Sequence, residues 1–153
     1  MSVNNVQVDL HLHSDHSDGR MAPDSLVRLC HNEGLKVISL TDHDTTSGLH
    51  EAKKKCSDLN LIFIPGIELG TVLNGQDVHI LGYYVDESDS ELQNVLIDIR
   101  EERINRGIEI VEKLIGLGIA VSLERVLEIA NEGSLGRPHI AYALVEMGVA
   151  KNP

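Results

Sequence analysis

Three short apolar stretches, each separated from the next by room for one helix, constrain this chain more than anything else in it. Val6–Leu12, Val37–Thr41 and Leu61–Ile64 read as strands. Pro23–Glu33 reads as a helix, with Pro23 in its first turn and Gly34 at its end. Ser47–Ser57 reads as a second helix, which Ser47 can cap. Strands joined by helical crossovers lie parallel, with right-handed connections. An α/β fold follows, with helices packed on the strands. Apolar residues make up 42% of the chain and aromatics only 3%, so aliphatic side chains must fill the core.

Beyond Ile64 the pattern changes. Gly66–Leu73 and Val78–Val85 are extended runs around Asn74-Gly75-Gln76-Asp77, and Asn-Gly between apolar runs signals a hairpin. Ser90–Leu117 reads as one long amphipathic helix. Its apolar stripe is Leu92, Leu96, Ile99, Ile104, Ile108, Val111 and Ile115, with Arg100, Arg103 and Arg106 away from it. Leu123–Asn131 and His139–Met147 complete an all-helical second part. The expected division is residues 1–88 and residues 89–153.

The unusual side chains collect where the strands end. In Asp9-Leu10-His11-Leu12-His13, His11 and His13 are two apart on a strand and project to one side. Two neutral imidazoles side by side share a divalent cation readily. Asp18 follows in the loop beyond, and His16 lies nearby but toward solvent. His43, in Thr41-Asp42-His43-Asp44-Thr45, sits at the next strand end, where parallel α/β folds gather their functional groups. Asp42 and Asp44 could be ligands, acceptors for imidazole N–H groups, or caps of the next helix. Glu68 interrupts the apolar run Ile67-Glu68-Leu69, and a carboxylate can bridge two cations. His79 stands among aliphatics in Val78-His79-Ile80, a place where a lone histidine is usually a satisfied core residue. Together these side chains make a nitrogen and oxygen donor set without thiolate, which suits Zn, Mn or Fe. Paired ions of this kind can polarise a phosphate ester and activate water.

Arg137-Pro138-His139 opens a helix, where backbone N–H groups favour an anion and Arg can grip a phosphate; a plain helix start with Pro in its first turn explains the same residues equally well. His31 and His50 read as partly exposed bystanders. Cys30 and Cys56 show no metal-binding spacing and read as free buried thiols. The net charge of -11 argues against an extended nucleic acid or an anionic membrane as partner. It leaves room for a phosphorylated small molecule, since two or three divalent ions offset roughly +4 to +6 of charge. Residues 1–7 are polar and no apolar run reaches about 20 residues, so a cytoplasmic location and no membrane span are expected.

Asp9-Leu10-His11-Leu12-His13-Ser14, Ser17-Asp18-Gly19, Thr41-Asp42-His43-Asp44-Thr45, Pro65-Gly66-Ile67-Glu68 and Val78-His79-Ile80-Leu81-Gly82 resemble, in order, the motifs of the PHP family of polymerases and histidinol phosphatases. Gly136-Arg137-Pro138-His139-Ile140-Ala141 is similar to the branch that removes phosphate from AMP or nucleoside 3′,5′-bisphosphates. The resemblance implies a distorted TIM-like (β/α)7 barrel with a helical insertion, and two to three Mn, Fe or Zn ions. It implies His11, His13, Asp18, His43, Glu68 and His79 as ligands, with Glu68, His43 and Asp18 at the catalytic centre and Glu68 as the bridge. Arg137 and His139 would reach the substrate phosphate. A nuclease-like phosphodiesterase and an inactive metal-binding module are the alternatives.

The family's later ligands, in a His-Pro motif and an Asp-X-His, have no counterpart here. The expectation is therefore a fragment or one half of a split protein, lacking the C-terminal barrel strands. Half a parallel barrel exposes a strand edge and an apolar face. Stability would require a partner, self-association or the missing half, so the isolated chain is expected to be oligomeric or poorly soluble; a monodisperse, cooperatively unfolding monomer would contradict it.

Overall fold

The computed structural model describes residues 7–131 and 133–153, so Val6 of the expected first strand lies outside them. Four strands form one sheet in the order β1 (Val8–Leu12), β2 (Val37–Leu40), β3 (Ile62–Leu73) and β4 (Gln76–Tyr83). The crossovers are α1 (Pro23–Asn32) and α2 (Leu49–Asp58), and both β1–β2 and β2–β3 are parallel. Val27 and Cys30 of α1 pack with Leu49, Ala52 and Cys56 of α2 over Ile38, Leu40 and Leu61. Side chains alternate along a strand. Val8, Val37 and Ile62 are register partners on the other face, where Ile62 is 62% exposed.

The two expected runs Leu61–Ile64 and Gly66–Leu73 are one strand that changes partner midway. Its first part pairs parallel with β2 through Pro65, and Gly66 to Leu73 pair antiparallel with β4. Pro65 has no N–H to give a ladder, and it stands at the changeover, where its carbonyl accepts from Tyr84 N–H at 2.7 Å. A Cβ on Gly66 would lie 2.4 Å from Ser39 Oγ and 2.7 Å from Thr41 Cγ2, so the strands close up only around glycine. Asn74 and Gly75, both at positive φ, make the two-residue hairpin turn. The sheet curls so far that the Tyr83 hydroxyl on β4 donates to the Leu10 carbonyl on β1, 3.0 Å across from the opposite edge.

Ser47 does not cap α2. The helix starts two residues later, without a side-chain cap, and the Ser47 N–H donates to Thr45 Oγ1 instead. After the sheet come α3 (Ser90–Gly116), α4 (Leu123–Ala130) and α5 (Arg137–Glu146). Asp89 caps α3 and Ser122 caps α4 through their side-chain oxygens. These helices share a second core of Val111, Val121, Val126, Ala130, Leu135, Ile140 and Ala143. The expected stripe on α3 needs correction. Ile104 and Ile115 are exposed, while Arg103 and Gly107 occupy the inward face. The step from Ile99 to Ile104 is five residues and overshoots a turn; 99, 103 and 107 follow the true face.

Cys30 and Cys56 are free and buried. Burial, with Cys30 nearby, pushes the Cys56 thiol up to about 12 from an ordinary 9.0. The folded chain thus keeps a thiol that the unfolded chain ionises above pH 9. This stability contribution is whole below pH 9 and is lost as pH climbs from 9 toward 12. A disulfide-exchange dye at pH 8 should find no reactive thiol in the native chain and two after guanidinium unfolding. Prompt native-state reaction would contradict that burial. Among the described residues no helix is long and apolar enough to cross a membrane.

Candidate metal centre

The curl brings side chains from all four strands, or from the residues just past them, to a single point. Glu68 projects from the middle of β3, its side chain 5% exposed, and four imidazoles surround it. His11 Nε2 lies 2.7 Å and His13 Nε2 2.9 Å from Glu68 Oε2, and His79 Nδ1 lies 2.7 Å from Oε1. His43 Nδ1 is 3.7 Å from Oε2. The rings follow one another at centroid distances of 5.1 Å (His11–His13), 4.7 Å (His13–His43) and 4.8 Å (His43–His79). Asp18 closes the far side, 3.4 Å from His13 Nδ1 and 3.7 Å from His43 Nε2.

All six residues expected as ligands therefore meet. They form three overlapping triads: His11, His13 and Glu68; His13, Asp18 and His43; His43, Glu68 and His79. Glu68 Oε2 faces His11, His13 and His43 while Oε1 faces His79, so both carboxylate oxygens have imidazole neighbours, as a bridging carboxylate needs. Burial by itself would raise the Glu68 pKa. The His11 hydrogen bond, the charges of His43 and His13 and the His79 hydrogen bond outweigh it and hold the carboxyl below its ordinary value. Burial lowers the His43 pKa, and His13 and Arg103 add to this against Asp18 and Glu68, which favours the neutral form that a ligand needs. Its buried Nδ1 has no hydrogen-bond partner. An orphaned imidazole nitrogen, aimed among carboxylate oxygens and other imidazoles, fits a divalent cation.

Asp42 and Asp44 are both fully buried; neither joins one of the three triads, and neither caps α2. The Asp42 carboxylate accepts from Ser14 N–H (2.7 Å), Ser14 Oγ (2.6 Å) and Ser17 Oγ (2.6 Å), and so shapes the loop that leads to Asp18. Asp44, at a φ of 53°, accepts from Gly70 N–H at 2.8 Å and from Arg103 Nε. Its own N–H donates to the Glu68 carbonyl at 3.0 Å. Arg103 thus reaches inward from α3 to the loop carrying His43, and Asp44 ties that loop to the strand carrying Glu68. The four-residue spacing of Ile99, Arg103 and Gly107 is the signal that could have found it.

The centre opens onto a cleft of about 640 Å3 whose walls include Asp18, His43, His79, Arg103, Arg106 and Arg137. Arg137 is exposed and donates to Asp77 Oδ2 at 2.5 Å; Asp77 also lies 3.9 Å from Arg106. His139 is placed otherwise than the sequence suggests. It is 4% exposed, and both ring nitrogens are taken by backbone groups, so neither is free for a phosphate. His16 is half-buried, and His31 and His50 are exposed on their helices.

The 5′-3′ exoribonuclease Rnm of Salmonella typhimurium is 36% identical over 147 residues, covering 95% of this chain and 50% of that protein. The 3′,5′-nucleoside bisphosphate phosphatase of Chromobacterium violaceum is 32% identical and is matched over 96% of this chain and 52% of its own length. The chain thus spans about half the length of the curated relatives it matches. A Bifidobacterium adolescentis crystal structure, described as a metal-dependent phosphoesterase, superposes with a TM-score of 0.87 at 32% identity, over 95% of this chain and 52% of that one. The PHP domain profile matches residues 9–143, a span that holds all six converging side chains, and on that match the chain belongs to the PHP family.

Proposed function

We propose that this chain carries the metal centre of a phosphoesterase that hydrolyses phosphate monoesters of nucleotides, such as AMP or nucleoside 3′,5′-bisphosphates. The observation that carries the reading is the set of triads sharing Glu68 at the mouth of a cleft large enough for a nucleotide. Two or three Mn, Fe or Zn ions held there would polarise the ester and lower the pKa of a water. Glu68 would bridge the ions, and His11, His13, His43, His79 and Asp18 would hold them. Arg137, at the cleft wall, offers its guanidinium to a phosphate in competition with Asp77. The two separate cores support reading residues 1–88 as part of a (β/α)7-type barrel and residues 89–153 as its helical insertion.

The Chromobacterium relative's name favours a mononucleotide substrate. The Salmonella relative's name favours a second reading, removal of the terminal nucleotide from an RNA strand. Arg106 and Arg137 on the cleft wall offer cations for phosphates there, although the chain as a whole is acidic. Elemental analysis of the purified chain, paired with Mn-dependent phosphate release from AMP, a 3′,5′-bisphosphate and a short oligoribonucleotide, tests both. Bound ions with faster turnover of the mononucleotides are expected. Preference for the oligonucleotide would transfer the assignment, and bound ions without turnover of any ester would end it.

A further inference from the structure

The loop that carries Asp18 is held from both sides. On one side lies Asp42, which gathers Ser14 and Ser17. On the other side lies the segment that leads into α5. There the Ser134 N–H donates to the His16 carbonyl at 3.0 Å, and the Arg20 guanidinium rests over the Tyr142 ring at 5.3 Å. Between these two contacts stands His139. The Gly136 N–H donates to His139 Nδ1 at 2.9 Å, and a backbone N–H can only donate. Nδ1 is therefore the acceptor and Nε2 carries the proton, which it donates to the Ser17 carbonyl at 2.8 Å.

Asp18 is the one proposed ligand on a loop with no strand or strand-to-strand bridge of its own. The other five lie in β1, β3 and β4, at the end of β1, or, for His43, in a bridge to Glu68. The loop's own turn, closed by the Ser17 and Gly19 N–H groups on the Ser14 carbonyl, leaves the Ser17 carbonyl to be met from outside by His139. The geometry points to His139 as a positioning residue that, through the Ser17 carbonyl, aims the Asp18 carboxylate at His13 and His43. The inference rests on reading Asp18 as a ligand. It gives α5 a part in metal binding without contact to metal or substrate. Groups that orient a ligand in this way are worth about 10- to 100-fold in metal affinity.

His139 could instead matter only as the partner of the helix's first N–H, and two substitutions separate the roles. His139→Gln places an amide N–H near the old Nε2 and keeps a donor for Ser17, but gives up the Nδ1 acceptor. His139→Asn keeps an acceptor for Gly136 and cannot reach Ser17. Calorimetric titration of the full chain with Mn2+ alone, with thermal melts alongside, should show one ion weakened about 10- to 100-fold in His139→Asn. In His139→Gln that ion should be close to wild type. The reverse pattern, or equal weakening of every ion with a fall in Tm, would overturn the inference. Asp18→Asn serves as the control. If it leaves all ions bound as before, the reading of Asp18 as a ligand fails. If it removes one ion while His139→Asn removes none, only the positioning role fails.

Discussion

Glu68→Gln is expected to strip ions from the centre and to lower Mn-dependent phosphate release by more than about 100-fold, the upper end for groups that merely support a ligand. Glu68 belongs to two of the three triads, and each of its oxygens lies 2.7 Å from an imidazole nitrogen. Glutamine keeps the size and one oxygen but loses the charge that balances two cations. The fold should survive, because an amide costs less to bury than a carboxylate and can still pair with the surrounding imidazoles. Elemental analysis and circular dichroism on the same sample separate lost metal from lost structure. Full metal content with undiminished turnover would remove Glu68 from the centre.

Arg103→Met should cost about 3–5 kcal/mol of folding stability, because it leaves the Asp44 carboxylate buried without its cation. Asp44 is 0% exposed, and Gly70 N–H alone cannot replace a guanidinium. With a urea slope of about 1–3 kcal/mol/M, the midpoint should fall by at least about 1 M. Asp44→Asn in the same background should restore most of the loss: it removes the stranded charge, keeps an acceptor for Gly70, and tolerates the positive φ of this position. A double-mutant cycle read by urea unfolding measures the coupling. Purely additive losses would mean that the pair contributes nothing beyond its separate contacts.

Much of this was legible in the sequence, because it is local. Alternation placed His11 and His13 on one side of β1, and Asn74-Gly75 announced the hairpin that sets His79 beside Glu68. What the sequence hid depends on distant partners. Arg103 reads as a surface residue until the loop holding Asp44 is folded against α3, and Asp44 reads equally as a ligand, an imidazole acceptor or a cap, because Asp ahead of a helix often is one. His139 resembles a phosphate ligand from its place at a helix start. Its true partner, the Ser17 carbonyl, lies 122 residues away. Pro65-Gly66 looks like a break between strands, because nothing local reveals that Gly66 must lie flush against Ser39 and Thr41.

The double allegiance of β3 also limits how the gene can vary in length. Its early residues are fixed against β2 and its later ones against β4, so neither half can slide to absorb a change in the other. Side chains alternate with a period of two, and deletion of one codon ahead of Glu68 would turn the carboxylate to the opposite face of the sheet. Insertions can accumulate at the Asn74-Gly75 tip without disturbing this arrangement. Between Ile62 and Glu68, a single-residue insertion or deletion would turn the carboxylate away from its four imidazoles, whereas substitution leaves the register intact.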